Sequence, residues 1–354
     1  MGIVGCDNQV PPEEPRISFG MIVLNGEPFV RYNLRAIYPF AYEIIVVEGA
    51  APGARGVATS DGHSKDGTLE TLYRFKVEED SDDKVHIITR DGFWSEKDEM
   101  SQAYAERATG NYLWQIDSDE FYHADDMRTI SDLLAADPTI TAVSFRMITF
   151  WGSLDYVTDG WYLRRGANIF HRVFKWGDGY RYITHRPPTV LNAEGRDTRE
   201  LHWVDGKTLM KRGIEMHHYS LLLPKQVYEK CVYYGNTFPN VSGGLNWSQE
   251  NFMNLQKPFR VHNVYRYPSW LERFTGHHPE QVGKMWEDLH STDTNIALRH
   301  TDDIEHLLSS TWYPLMRICV KYLDCLARVY RYSEKTLVRV YRALKRILKR
   351  TGIH

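Results

Sequence analysis

The sequence of 354 residues lacks several features that would define a class of protein by themselves. No stretch approaches the eighteen or so apolar residues of a membrane-spanning helix, and the first fifteen residues lack the apolar core of a signal peptide. The chain contains only four cysteines, and they are scattered without the spacing of metal ligands: Cys6, Cys231, Cys319 and Cys325. Free thiols are typical of a reducing compartment, so we expect a cytoplasmic protein.

The charge is unevenly distributed along the chain. The formal net charge is only -3, yet residues 316–354 carry eleven Lys and Arg against Asp324 and Glu334. The remaining body is therefore acidic, which argues against nucleic acid as a partner. Residues 337–348 alternate apolar and basic positions at helical spacing, which predicts a basic amphipathic helix. Such a helix could bind an anionic membrane surface peripherally, or pack on the acidic body.

Short apolar runs alternate with helical patterns in the first third of the chain. Strands are predicted at residues 17–24, 43–47, 85–89 and 112–116, and helices at 27–37, after residue 68 and at 95–110. This alternation predicts an α/β fold with a Rossmann-like, mainly parallel sheet covered by helices on both faces. Ligands of such sheets bind at the carboxyl ends of the strands. The polar clusters around Glu48, Asp91 and Asp117 follow predicted strands and should lie at that edge.

Two carboxylates separated by one residue follow the fourth predicted strand, at Asp117 and Asp119. Their mutual repulsion favours a bound cation, and carboxylate oxygens are the ligands that Mg²⁺ and Mn²⁺ prefer. A divalent ion held there could bridge the protein and a diphosphate and stabilise a leaving group. The alternative is a solvated acidic turn, because an isolated Asp-x-Asp is common.

The order of these motifs resembles that of family 2 glycosyltransferases, which have the GT-A fold. The resemblance rests on Asn25-Gly26-Glu27 after the first strand, on the Asp-x-Asp after the fourth, and on a block similar to the family's Asp-Gly-Ser-x-Asp-Gly-Thr signature, Asp61-Gly62-His63-Ser64-Lys65-Asp66-Gly67-Thr68. It covers residues 17–122 well. Two departures are a dozen-residue insert before the block and His63 between its Gly and Ser.

The resemblance implies an activity and a donor site. The activity is metal-assisted, inverting transfer of a sugar from a UDP or GDP sugar to a glycan or a lipid-linked acceptor. The donor-binding residues would be Asn25, Glu27, Glu48, Asp61, Asp91 and Asp117, with Asp117 on the ribose or the metal. Mn²⁺ or Mg²⁺ would be held by Asp117, Asp119 and His218, because His217-His218-Tyr219 resembles a late segment of some bacterial members.

The general base of an inverting transfer is not marked by any motif. A carboxylate after the metal motif usually takes the proton of the acceptor hydroxyl, and Asp159, Glu194 and Glu215 are the candidates. Each could equally be a surface acid.

We predict three segments: an N-terminal tail at 1–16, the catalytic domain at 17–220 and a helical extension at 221–354. Two rival functions remain, a sugar nucleotidyltransferase and a carbohydrate-binding protein with a decayed site. The first would normally carry a Gly-rich basic loop after the first strand, which Asn25-Gly26-Glu27-Pro28 lacks.

Overall fold

The computed structural model describes residues 14–238, 244–263, 267–291 and 296–323. The strands are β1 (Ile17–Val23), β2 (Glu43–Glu48), β3 (Val85–Ile88), β4 (Tyr112–Gln115), β5 (Glu120–Phe121), β6 (Ala142–Trp151), β7 (Tyr156–Gly160), β8 (Ile169–Lys175), β9 (Arg181–His185), β10 (Pro188–Leu191), β11 (Trp203–Val204), β12 (Met216–Leu221) and β13 (Ser269–Arg273). The helices are α1 (Phe29–Ile37), α2 (Thr68–Glu78), α3 (Lys97–Arg107), α4 (Ala124–Ala136), α5 (Gly206–Met210), α6 (Pro224–Thr237), α7 (Gly244–Trp247), α8 (Glu280–Ser291) and α9 (Asp302–Ser309).

One mixed sheet organises these elements. Its first half is parallel and has the order β3-β2-β1-β4, and the sheet continues through β8, β6, β7 and β13 with antiparallel pairs. Parallel neighbours end at the same edge, so Val23 lies beside Glu48, and the segment after β4 follows at that edge. This edge carries the polar clusters that the sequence predicts to be functional.

Hydrophobic cores cover both faces of the parallel half. Because successive strand residues point to opposite faces, Ile44 and Val46 belong to one core while Ile45 and Val47 belong to the other. The first core also contains residues of α1, α2 and α4, and the second contains residues of α3. The predicted α/β class, with helices on both faces of the sheet, is confirmed.

The four predicted parallel strands lie within one or two residues of their expected ends. The regularity follows from the sequence, because β1, β2 and β4 are almost wholly buried runs of apolar residues with few polar interruptions. Residues 337–348, predicted to be a basic amphipathic helix, lie outside the described residues.

The chain beyond residue 220 joins the same body. Strand β13 pairs with β7 at the sheet edge, and α6 packs against the insert at residues 49–59, where Asn236 Nδ2 donates to the Gly53 carbonyl at 3.0 Å. Residues 312–323 are helical as well. Among the helices of the described residues, none combines the length and the apolar character needed to cross a bilayer.

The ring of Trp114 on β4 is the centre of the first core. It is fully buried and stacks between Phe19 and Phe145, with ring centroids 5.3 Å and 5.6 Å away.

Removal of the Trp114 side chain would leave a large cavity between the sheet and its helices. We therefore expect Trp114→Ala to lower the free energy of unfolding by about 3–5 kcal/mol in urea titrations. Val77→Ala, at a position 86% exposed, is the control and should change stability by less than about 0.5 kcal/mol. A loss below about 1 kcal/mol for Trp114→Ala would contradict this assignment of the core.

Candidate active site

The two aspartates that the sequence singles out lie directly beyond β4, at the carboxyl edge of the parallel strands. A tight turn follows, in which the Glu120 amide donates to the Asp117 carbonyl at 3.0 Å. Strand β12 then pairs with β5, so that His218 lies opposite Glu120 and the Tyr219 amide donates to the Asp119 carbonyl at 2.9 Å. This pairing brings together residues that are a hundred positions apart in the sequence.

Asp117, Asp119 and His218 form a group that could hold a metal ion. One ligand atom from each lies within 4.8 Å of the others, and His218 Nε2 is 3.4 Å from Asp119 Oδ1. Ligand atoms that share one ion at about 2.1 Å are about 3–4 Å apart, and the distance between His218 Nε2 and Asp119 Oδ1 lies in that range. Both ring nitrogens of His218 are buried, and neither makes a hydrogen bond to a described residue. Two carboxylates with one imidazole suit Mn²⁺ in particular.

The other oxygen of Asp119 is held by α6. Lys230 Nζ lies 2.8 Å from Asp119 Oδ2, and Gln226 Nε2 donates to the same oxygen at 2.9 Å. Burial alone would raise the pKa of Asp119, but Lys230 and His218 outweigh it and hold the pKa well below its usual range. Asp119 is therefore ionised at any physiological pH.

Glu120 and Arg172 form an ion pair beneath the aspartates. Arg172 Nε donates to Glu120 Oε2 at 2.9 Å, and the side chain of Arg172 is 7% exposed while that of Glu120 is 0% exposed. The same carboxylate accepts from the Asp117 amide at 3.3 Å, which fixes the turn. Burial raises the pKa of Asp117, but Arg172 and then His185 and Arg186 reverse this and lower it.

Two cavities meet at Asp117. The smaller, of about 150 Å³, lies between the ends of β1 and β2, the insert and α6, and Asn25, Gly49, Asp119 and Glu229 are among its lining residues. The larger, of about 710 Å³, lies on the other side. Its walls contain His218, Arg172 and several rings, among them those of Tyr162, Phe170, Tyr234 and Phe238. Asp117, Arg186, Lys230 and Tyr234 line both cavities.

The loop after β1 is held in place by the signature block. Asn25 has a positive φ of 51°, accepts from the Lys65 amide at 2.8 Å and donates to the Val57 carbonyl at 2.9 Å. Asp66 accepts from the Glu27 amide at 3.0 Å. Asn25 lines the smaller cavity, but the Glu27 side chain lies in a separate cavity beside α8. The structure thus separates two neighbours that the resemblance assigns to donor binding.

Glu48 is buried and fully engaged by the same block. Its carboxylate accepts from the Ser64 amide and hydroxyl, both at 2.8 Å, and lies 2.8 Å from His63 Nδ1. Hydrogen bonding to Glu48 raises the pKa of His63. Asp91 lies 3.6 Å from the other nitrogen of His63 and is 99% exposed, and Asp61 is exposed as well. In the described structure, His63 links Glu48 with Asp91.

The three carboxylates predicted as general base lie elsewhere. Asp159 is paired with Arg164 at 2.6 Å, Glu215 with Arg146 at 2.8 Å, and Glu194 is 65% exposed and 3.7 Å from Arg196. None of the three lines either cavity. The structure does not bring them to the aspartates.

Several residues of the site are not marked by any sequence pattern. Lys97 begins α3, Arg186 follows β9, and α6 contributes Gln226, Glu229, Lys230, Tyr233 and Tyr234. One face of α6 carries four of these residues at positions i, i+3, i+4 and i+7: Gln226, Glu229, Lys230 and Tyr233. This helical spacing is the sequence signal that could have indicated them.

No family model matches this sequence, and no curated protein matches it either. Among solved structures, it is similar to S. aureus TarS residues 1–349, with 9% identity and a TM-score of 0.37, over 68% of this chain and 70% of TarS 1–349. It is also similar to the TarS 1–349 complex with UDP, with 12% identity and a TM-score of 0.30, over 38% of this chain and 36% of that chain. The glucosyl-3-phosphoglycerate synthase of Mycobacterium tuberculosis with Mn²⁺, UDP and glucosyl-3-phosphoglycerate gives 18% identity and a TM-score of 0.27, over 39% of this chain and 45% of that enzyme. Similarities at these scores decide neither fold nor activity, which rest on the topology and site of this chain.

The ion pair beneath the aspartates generates a prediction about stability. Arg172→Met leaves the fully buried Glu120 carboxylate without its cation, so we expect a loss of about 3–5 kcal/mol in the free energy of unfolding. The double variant Glu120→Met/Arg172→Met removes both charges and should recover most of that loss. Urea titrations of the three proteins at pH 7 measure both effects. If the double variant were less stable than Arg172→Met, the proposed electrostatic cause would be wrong.

Proposed function

We propose that this protein is a glycosyltransferase that uses a nucleotide diphosphate sugar and a divalent ion. The observation that carries the proposal is the position of Asp117, Asp119 and His218, which could hold a metal ion together at the place where two cavities meet. Transfer between two substrates requires two binding spaces that meet at the reacting bond. A solvated acidic turn would have neither a buried imidazole nor a cavity on each side.

The smaller cavity would hold the nucleotide of the donor. It lies at the carboxyl edge of the parallel strands, where α/β sheets bind ligands. Its volume is below the range of about 300–1,000 Å³ that is usual for ligand pockets, because the insert packs on α6 over it. We therefore propose that the insert moves away from α6 when a UDP or GDP sugar enters, and that Asn25 and Glu229 contact the nucleoside.

The larger cavity would hold the acceptor. Aromatic side chains offer flat apolar surfaces for the faces of sugar rings, and this cavity provides Tyr162, Phe170, Tyr234 and Phe238. A glycan or a lipid-linked sugar is the acceptor class that fits. Asp159, Glu194 and Glu215 stay predictions for the general base of an inverting transfer, and each would have to leave its arginine partner to reach the cavity.

The residues of the site divide the work of the proposed reaction. Mn²⁺ or Mg²⁺, when bound, would supply Lewis-acid stabilisation of the departing diphosphate. Asp117 and Asp119 would hold the ion through carboxylate oxygens and His218 through Nε2. Arg172 keeps Glu120 in place, and Glu120 in turn fixes the backbone of Asp117.

Substitution of Asp119 tests this function. Asp119→Asn removes the charge that the ion needs and leaves the side-chain volume, so we expect donor turnover to fall by about 100-fold or more. The measurement is release of nucleoside diphosphate from a panel of UDP and GDP sugars with Mn²⁺.

Asp132→Asn, an exposed residue of α4, is the matched control and should keep the rate of the unmodified protein. A rate for Asp119→Asn equal to that of the unmodified protein would rule out the proposal. Donor binding without any turnover in the unmodified protein would favour the carbohydrate-binding alternative, and formation of a nucleotide sugar from a sugar phosphate would favour the nucleotidyltransferase.

We further propose that the end of the chain contacts an anionic membrane. The helical residues 312–323 pack on the body through Tyr313, but they expose an apolar face on which Leu315, Ile318 and Tyr322 are 63%, 64% and 64% exposed. Nine Lys and Arg residues follow in the sequence at 324–354. Apolar side chains beside basic ones suit the headgroup region of an anionic bilayer.

Vesicle sedimentation tests the membrane contact. The full chain should sediment with vesicles containing phosphatidylserine and not with pure phosphatidylcholine vesicles. Leu315→Glu/Ile318→Glu should weaken binding by about tenfold or more. The reason is that two apolar contacts with the bilayer are replaced by negative charges that anionic lipids repel. Val77→Glu, exposed on α2, is the control. Equal binding to both kinds of vesicle, or to neither, would exclude this contact.

A further inference from the structure

We propose that Lys97, Arg186 and Lys230 form a cation cluster that binds the diphosphate of the donor without the divalent ion. The inference rests on the proposed function, since it assigns a second means of holding the same diphosphate. No sequence motif marks these three residues. Two of them, Lys97 and Arg186, form no ion pair with a carboxylate of the described residues.

Three separate segments bring the cluster together. Lys97 is the first residue of α3, Arg186 lies in the turn between β9 and β10, and Lys230 lies on α6. All three line the smaller cavity beside Asp117 and Asp119. Arg186 and Lys230 also line the larger cavity, so the cluster lies where donor and acceptor would meet.

Two of the three cations have neutral partners. Lys97 Nζ lies over the ring of Tyr233, 4.2 Å from its centroid, and Arg186 donates to the Tyr234 hydroxyl. In the described part of the chain, neither Lys97 nor Arg186 forms an ion pair with a carboxylate. The tyrosines orient these cations without carrying a negative charge, so both side chains can still bind an anion in the cavity.

The third cation links the cluster with the metal group. Lys230 Nζ lies 2.8 Å from Asp119 Oδ2, an oxygen that Gln226 also contacts. A long flexible side chain can keep this contact or turn its ammonium toward a phosphate oxygen nearby. Lys230 therefore neutralises Asp119 before the donor arrives and is close to the diphosphate afterwards.

The charges around the smaller cavity favour a diphosphate. Three cations face Asp117 and Asp119, and the remaining lining carboxylate, Glu229, has its pKa raised by burial to about 7. Burial and the neighbouring Arg186 lower the pKa of Lys97 to about 7, as expected for a cation that lacks an anionic partner. A diphosphate bound beside Lys97 would favour the protonated form of its amine, because a nearby negative charge stabilises the ammonium.

Binding measurements with and without metal test the cluster. Isothermal titration calorimetry would use inorganic pyrophosphate, UDP and GDP as probes, each in EDTA and in Mn²⁺. The unmodified protein should bind pyrophosphate and at least one nucleotide in EDTA. Lys97→Met/Arg186→Met should weaken that binding by about 100-fold, because two hydrogen bonds from charged groups are lost. Lys97→Arg/Arg186→Lys should keep most of the affinity.

Two controls separate the cluster from the metal site and from general charge. Lys207→Met/Arg212→Met removes one exposed lysine and one exposed arginine and should leave pyrophosphate binding unchanged. The affinity of Lys97→Met/Arg186→Met for Mn²⁺ alone, measured by electron paramagnetic resonance, should change by less than about threefold. Thermal melts establish that this variant is folded, and if it is not, the single variant Lys97→Gln takes its place with an expected tenfold loss.

The outcomes distinguish this inference from the proposed function. Nucleotide binding in Mn²⁺ but not in EDTA would overturn the cation cluster and leave the glycosyltransferase proposal intact. Pyrophosphate binding by Lys97→Met/Arg186→Met that equals the unmodified protein would also overturn the cluster. No binding of either nucleotide, with or without Mn²⁺, would overturn both.

Discussion

Three carboxylates within four residues lie together at the end of one strand. The site depends on how the protein compensates their negative charges. Asp117, Asp119 and Glu120 repel each other, and burial adds a desolvation cost to each. Arg172 pairs with Glu120, and Lys230 pairs with Asp119. Asp117 lies between them and has its pKa lowered mainly by Arg172, against the effect of burial. Without these cations the turn could not keep its acids ionised and buried.

The need for compensation explains why distant parts of the chain converge on one turn. Arg172 comes from β8, which lies beside β4 in the sheet, and Lys230 comes from α6, beyond the predicted boundary at residue 220. His218 comes from β12 and reaches the turn only because β12 pairs with β5. A residue beyond position 220, Lys230, thus compensates the charge of a turn that follows a strand in the first third of the chain.

The strands and the acidic turn were predictable because their signals are local. Buried parallel strands are continuous apolar runs, and the carboxyl ends of β2 and β4 follow directly from where those runs stop at Glu48 and Asp117. The cations could not be predicted in this way, since Lys97, Arg186 and Lys230 meet only through the packing of α3, a turn and α6. The sequence also could not show that the Glu48 carboxylate is hydrogen-bonded to Ser64 and His63, or that Glu27 lies in another cavity.

The departures from the family's motif have a physical explanation in the same region. The insert after β2 packs on α6 and narrows the smaller cavity, while His63 contacts one carboxylate oxygen of Glu48 and extends toward Asp91. The smaller cavity is therefore lined by the insert and by α6 with its tyrosines, and Glu48, Asp61 and Asp91 are not among its lining residues. Those tyrosines also orient Lys97 and Arg186, so the segment that narrows the cavity is adjacent to the one that makes it cationic. A narrow space in which three cationic side chains lie beside Asp117 and Asp119 is the feature on which the proposed binding of a nucleoside diphosphate rests.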